Sequence, residues 1–160
     1  MKKLIFFFLI ICSCELYAQD SLIYHPEANA AEQIKAATVK ATNENKHILL
    51  MIGGNWCRWC RMFNKFVTTD EKLDSAMNKN FIVEHINYSK ENKNEELLKQ
   101  LKFPQRFGFP VFVILDSKGE LIHTQNSAYL EKGEGYNKET VMDFFHQWRK
   151  DALEEKNYKK

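Results

Sequence analysis

The chain has 160 residues, 44% hydrophobic and 28% charged, enough for one domain to bury a proper core without staples. Twenty-three Lys and Arg against twenty-one Asp and Glu leave a formal charge of +2 with the signs interspersed. The sequence therefore offers no basic face for nucleic acid, and that class of partner is set aside.

The chain opens on a different material from the rest. Lys2 and Lys3 precede the apolar run Leu4 to Cys12, and Ser13 to Ala18 is more polar. Nine apolar residues fall short of the roughly twenty that span a bilayer, so residues 1–18 read as a secretory signal peptide, with an uncleaved anchor as the alternative. Cleavage after Ala18 is the simplest choice, although Leu16 at the minus-three position is larger than the usual small residue. Ile11-Cys12-Ser13-Cys14 also resembles a bacterial lipobox, which would make Cys14 a lipidated N-terminus and the protein a lipoprotein. A periplasmic or secreted location follows, with membrane attachment only if Cys14 is lipidated. Cutting at Ala18 removes Cys12 and Cys14, leaves Cys57 and Cys60 as the single cysteine pair, and takes the charge from +2 to +1 through loss of Lys2, Lys3 and Glu15.

The mature chain, residues 19–160, reads as one domain. Gln19 to Asn29 is an irregular lead-in punctuated by Pro26. Ala30 to Asn45 is rich in Ala, Glu, Gln and Lys, and Ile34, Ala37 and Ala41 recur at helical intervals, which predicts an amphipathic helix. His47 to Ile52 predicts a buried strand. Gly53-Gly54-Asn55-Trp56-Cys57-Arg58-Trp59-Cys60-Arg61 follows it and leads into Met62, Phe63, Phe66 and Val67 at helical spacing, so the cysteines fall where a strand turns into a helix.

That junction has chemical consequences. Cys57 lies near the helix's unpaired N–H groups and positive dipole end, and Cys60 lies three residues on, almost a full turn away on the same side. Two sulfurs can meet there, with a thiolate favoured on the outer one. A pKa of ~7 for Cys57 in place of ~8.5 would be worth roughly 2 kcal/mol and raise its thiolate fraction at neutral pH from a few per cent to about half. Arg58 and Arg61 push the same way. The chemistry suggested is thiol–disulfide exchange, Cys57 attacking and Cys60 resolving. A static disulfide or half of a metal site are the blander readings. A tetrahedral metal site needs four ligands, and neither a second CxxC nor a paired histidine motif is present; covalent haem attachment needs His where Arg61 stands.

Asp70 is a plausible N-cap for a short helix carrying Leu73, Ala76 and Met77. Phe81 to Asn87 predicts the next strand, apolar on both faces at its start and so expected to be covered on both sides. Ser89 to Asn94 is a polar loop, Glu95 to Leu101 a short helix, and Phe103 to Phe109 a loop with Pro104 and Gly108. Val111 to Leu115, Asp116-Ser117-Lys118-Gly119 and Glu120 to Thr124 form a hairpin signature. Gln125 to Tyr136 is a longer loop, either a recognition element or a surface excursion. A closing helix starts near Asn137 with Val141, Phe144, Phe145 and Trp148 on one stripe, and its charged tail frays beyond Asp151. Four strands with helices between them imply an α/β fold, a mixed sheet with helices on both faces.

Trp56-Cys57-x-x-Cys60 after a buried strand, with Gly108-Phe109-Pro110-Val111 before the hairpin, resembles the thioredoxin superfamily over nearly everything after the signal peptide. The alanine-rich helix ending in Glu-Asn-Lys and the strand from Phe81 are most similar to exported bacterial thioredoxin-like proteins related to the periplasmic reductase domain of DsbD-type proteins. The resemblance implies a thioredoxin-like three-layer α/β/α sandwich around a mixed sheet of at least four strands, with Pro110 in the cis form and its loop against the cysteines. It also implies a redox centre at Cys57 and Cys60 with Trp56 as a lip over the sulfurs. Arg58, Trp59, Phe109, Pro110 and Val111 would lie along the substrate side, Phe109 and Val111 offering backbone groups to an extended peptide by strand addition.

The sequence departs from thioredoxin at two points. The acidic residue that thioredoxins carry six positions before the first cysteine is Met51 here, and Glu84 or His85 on the neighbouring strand is a candidate substitute. Arg58-Trp59 replaces Gly-Pro; the arginine favours the thiolate and a more oxidising pair, while Trp59 restricts access. The expected protein is an exported monomeric thiol:disulfide oxidoreductase, without cofactor or metal, that reduces or isomerises client disulfides and draws electrons from a membrane or soluble redox partner. An oxidant that introduces disulfides and a non-catalytic peptide-binding holdase are the rivals.

Overall fold

A computed structural model describes residues 22–159; residues 1–18, read as a signal peptide and holding Cys12 and Cys14, lie outside the described residues. Helix α1 spans Ala30–Glu44: the Asn29 side chain accepts the N–H groups of Ala31 and Glu32 at its start, and Asn45, left-handed at φ 56°, ends it. Ala30, Ala37 and Ala41 are its buried face, small enough for the helix to lie close against the sheet.

Strand β1 (His47–Gly53) is buried throughout, because it runs between two other strands with helices on both faces. The sheet order is β2-β1-β3-β4, with β2 (Phe81–Asn87) parallel to β1, β3 (Val111–Leu115) antiparallel to it, and β4 (Leu121–Asn126) antiparallel to β3. Alternation along β1 sends Leu49 and Met51 into one core and Ile48, Leu50 and Ile52 into the other. The first core is closed by Phe63 and Val67 of α2 (Arg58–Thr69), Leu73 and Met77 of α3 (Glu71–Asn80), and Val141, Phe144 and Phe145 of α5 (Lys138–Trp148). The second is closed by α1 and by Leu98 of α4 (Glu95–Gln100). The result is the three-layer α/β/α sandwich, each wholly buried Leu, Ile or Phe contributing about 1.5–3 kcal/mol. Asp70 stands between α2 and α3 and accepts the Lys72 and Leu73 N–H groups, as an N-cap should.

Three stretches add to or depart from their sequence reading. Strand β2 is covered on both faces as expected, Phe81 and Val83 packing into one core and Ile82 and Ile86 into the other, but as the sheet edge it leaves residues 82–85 half-buried. The 125–136 stretch continues β4 to Asn126, then makes a 3-10 turn (Ser127–Leu130) and a two-stranded ribbon, β5 (Glu131–Lys132) with β6 (Gly135–Tyr136). Leu130 and Tyr136 are buried by it, so it belongs to the core wall. Segments of two residues carry no periodicity, and the sequence could not announce them. Lastly, the lead-in before α1 is irregular as expected, yet it carries the fully buried Tyr24.

Candidate active site

The site forms where β1 hands over to α2. Cys57 N–H donates to the Gly54 carbonyl (3.0 Å), closing the turn, and Cys57 takes the N-cap position of α2 in extended conformation. Its Sγ accepts the Cys60 N–H at 3.1 Å, one of the helix's otherwise unpaired donors, so a negative sulfur there would meet both that hydrogen bond and the dipole. Cys57 and Cys60 are joined as a disulfide, with their Cα atoms 5.3 Å apart. Both are buried, Cys57 at 5% exposed and Cys60 at 2%, so what separates them is their surroundings more than their exposure.

Two glycines make this packing possible. A Cβ on Gly53 would stand 2.5 Å from Cys60 Sγ and 3.0 Å from the Tyr24 hydroxyl. A Cβ on Gly54 would collide with the Trp56 indole nitrogen and the Tyr88 carbonyl, the two partners of a 2.7 Å hydrogen bond.

On the open side, the Phe109–Pro110 bond is cis and Phe109 packs against the cysteine cluster. Trp56, 58% exposed, meets Phe109 edge-on with ring centroids 5.6 Å apart, and the Tyr88 ring lies 4.6 Å from that of Phe109. Beside Trp56 a groove of about 570 Å³ runs between Asn55, Tyr88, Pro26 and the polar loop after Asn87. Arg58 is exposed, whereas Arg61 donates to the Asn55 carbonyl. Trp59 is half-buried, edge-on to Tyr136 at 5.6 Å, with its carbonyl accepting the Tyr136 hydroxyl. Val111 is fully buried and paired on both sides, with Ile52 and Asn126, so the backbone free to meet a peptide is that of the residues just before it.

Behind the sulfurs stands a residue that the sequence did not single out. Tyr24 packs against Cys57 and Cys60 and is latched by Asn55, which accepts its N–H (3.1 Å) and donates to its carbonyl (2.7 Å). An isolated tyrosine in an aperiodic segment gives no local signal; only its tertiary contacts reveal it.

The two candidates for the missing acid fall on opposite faces. Register pairs Leu50 with Glu84 and Met51 with His85, and parallel partners share a face. Glu84 therefore lies on the α1 side, where burial raises its pKa and Lys40 and Gln33 lower it. His85 lies on the cysteine side, edge-on to Tyr24 with centroids 5.4 Å apart. Burial, with the charge of His25 adding, pushes its imidazole down to about 4, and its buried Nε2 has no hydrogen-bond partner. Burial likewise raises the Tyr24 phenol, which stays protonated at any physiological pH.

The thioredoxin-like family model matches residues 28–117, more than half of the chain, and the chain belongs to that family. Among solved structures, a disulphide isomerase from Xylella fastidiosa Temecula1 is 28% identical, with a TM-score of 0.69 over 79% of this chain and 95% of its own. The C-terminal domain of DsbD from Neisseria meningitidis, in its oxidised form, is 17% identical, with a TM-score of 0.57 over 76% of this chain and 97% of its own. A thioredoxin from Thermus thermophilus is 19% identical at a TM-score of 0.51, covering 79% and 86%; this likeness and that to DsbD are of fold. Among curated proteins no match is found.

Proposed function

We propose that the protein is an exported thiol:disulfide oxidoreductase that reduces or isomerises disulfides in client proteins. The observation that carries this reading is the asymmetric environment of one cysteine pair: Cys57 Sγ holds the helix N-terminus, while Cys60 Sγ is enclosed between Gly53 and Tyr24. The Cys57 thiolate attacks a client disulfide; the client S–S bond breaks, one client sulfur leaves as a thiolate and takes up a proton, and a mixed disulfide remains. Cys60 then loses its proton and attacks Cys57 Sγ, which forms the internal disulfide and frees the second client thiol. The client gains two electrons and the pair loses two. A membrane or soluble dithiol partner restores the pair by the same exchange, and no bound cofactor is involved.

Phe109 packs against the cysteine cluster and, with Trp56 and Pro110, would seat the client chain, the groove beside Trp56 taking its flank. The likeness to the Xylella isomerase supports this substrate class. Export rests on the sequence of residues 1–18, with lipidation at Cys14 as its variant form. A Cys60→Ser protein is expected to hold clients in mixed disulfides that reductant releases, and Cys57→Ser to abolish both trapping and turnover. Undiminished activity in Cys57→Ser would overturn the reading in favour of a peptide-binding module. A measured potential near −270 mV fits the reducing direction, and one near −120 mV would reverse it.

A further inference from the structure

Exchange at this site creates a proton problem that the thioredoxin pattern does not solve here. Cys60 is enclosed, so ionising it in place is costly unless something nearby takes the proton and faces the charge left behind. Met51, where thioredoxins carry an acid, can do neither. Glu84 cannot help, since the sheet separates its face from the sulfurs.

We propose that His85 accepts the proton of Cys60 and that the Tyr24 hydroxyl donates a hydrogen bond to the thiolate so formed. Three observations converge on this assignment. Tyr24 Oη and Cys60 Sγ both border the small space left by the absent side chain of Gly53. The His85 ring stands against the Tyr24 ring and sits in register with Met51, the position of the missing acid, on the same face of the sheet. Its Nε2 is buried without a partner, although buried polar atoms are nearly always satisfied, so this ring nitrogen is uncommitted.

The energetics fit a proton passed within one pocket. The burial that disfavours an imidazolium alone also disfavours a thiolate alone. Moving a proton from Cys60 to His85 creates both charges together, each offsetting the desolvation of the other, as in other Cys–His pairs. At neutral pH the resting imidazole is uncharged, which leaves it free to accept. Tyr24 and His25 are the titratable groups that face it. From α1, Gln33 donates to the His85 carbonyl, and Lys40 acts on Glu84 on the face of the sheet opposite the His85 ring. In the resolving step the proton goes from Cys60 Sγ to His85 Nε2, the Cys57–Cys60 bond forms, the bond from Cys57 to the client breaks, and the departing thiolate collects a proton from solvent.

This assignment rests on the exchange reaction proposed above, and one experiment separates the two. Reduced protein is mixed rapidly with stoichiometric dithiobis(nitrobenzoate). The first coloured thiolate released reports attack by Cys57, and the second reports displacement by Cys60. Wild type, Tyr24→Phe, His85→Gln and the opposite-face control Glu84→Gln are followed across pH. The expected result is an unchanged first phase in every protein. The second phase should slow at least tenfold in Tyr24→Phe and His85→Gln, its pH profile moving to higher pH, while Glu84→Gln behaves as wild type. A second phase in Tyr24→Phe and His85→Gln with wild-type rate and pH profile overturns the assignment and leaves the oxidoreductase reading intact. Absence of both phases in the wild type overturns that reading itself. Tyr24→Phe keeps the ring that packs the site, so it answers the question even if His85→Gln fails to fold.

Discussion

Replacing Gly53 by alanine tests the packing on which the site depends. The new Cβ would stand 2.5 Å from Cys60 Sγ, where ordinary contact begins near 3.4 Å, an overlap of nearly an ångström. Neither neighbour yields readily: Cys60 Sγ is bonded to Cys57, and Tyr24 is latched at both its N–H and its carbonyl by Asn55. Overpacking of this kind costs about 1–3 kcal/mol, and the reduced freedom of the unfolded chain returns about 0.4–1 kcal/mol. A net loss of about 1–2 kcal/mol follows for the oxidised protein, a melting temperature lower by roughly 2–8 °C for a chain of this size. Reduction frees Cys60 Sγ to rotate away, so the penalty should be smaller in the dithiol form. Each kcal/mol of that difference raises the reduction potential by about 20 mV. Thermal melts of both redox forms, with equilibration against glutathione, measure the two effects. An oxidised Gly53→Ala protein that melts with wild type, at the wild-type potential, would refute the close approach of Gly53 to the inner sulfur.

The acid limb of stability should carry the signature of His85. Its folded pKa of about 4 lies below the ordinary 6.5, so within that window the unfolded chain binds the proton and the folded chain does not. Stability is therefore highest above 6.5, falls as pH drops towards 4, and His85→Gln should flatten that slope; Glu84, whose pKa is raised, acts in the opposite sense and is common to both proteins. Denaturant titrations across this range check it, and parallel curves would contradict it. Asn55→Ala should release the Tyr24 segment by removing both of its latching hydrogen bonds, at about 1–2 kcal/mol together. Faster hydrogen exchange at the Tyr24 amide, with the β1 amides protected as before, is the expected readout; unchanged exchange at Tyr24 would sink it.

Local pattern was enough for the frame. Apolar runs and helical recurrences marked β1, α2 and α5, Asp70 announced its own cap, and Gly119, at φ +87°, took the left-handed turn that the hairpin required. A separation of three residues at a helix start already brings Cys57 and Cys60 within bonding reach, because that geometry depends only on the chain between them. Contacts between distant segments were a different matter. Whether Glu84 or His85 faces the sulfurs turns on the register of β2 against β1, and a slip of one residue would exchange them. Tyr24 reaches Cys60 from a segment with no periodicity, held by an asparagine thirty-one positions away. Val111 looked available for strand pairing until β3 was seen between β1 and β4. Covalent spacing and side-chain periodicity are written residue by residue, so the sequence alone determined the cysteine pair and the layers around it. The groups that surround the buried sulfur depend on strand order, register and close approach, which exist only once the chain has folded.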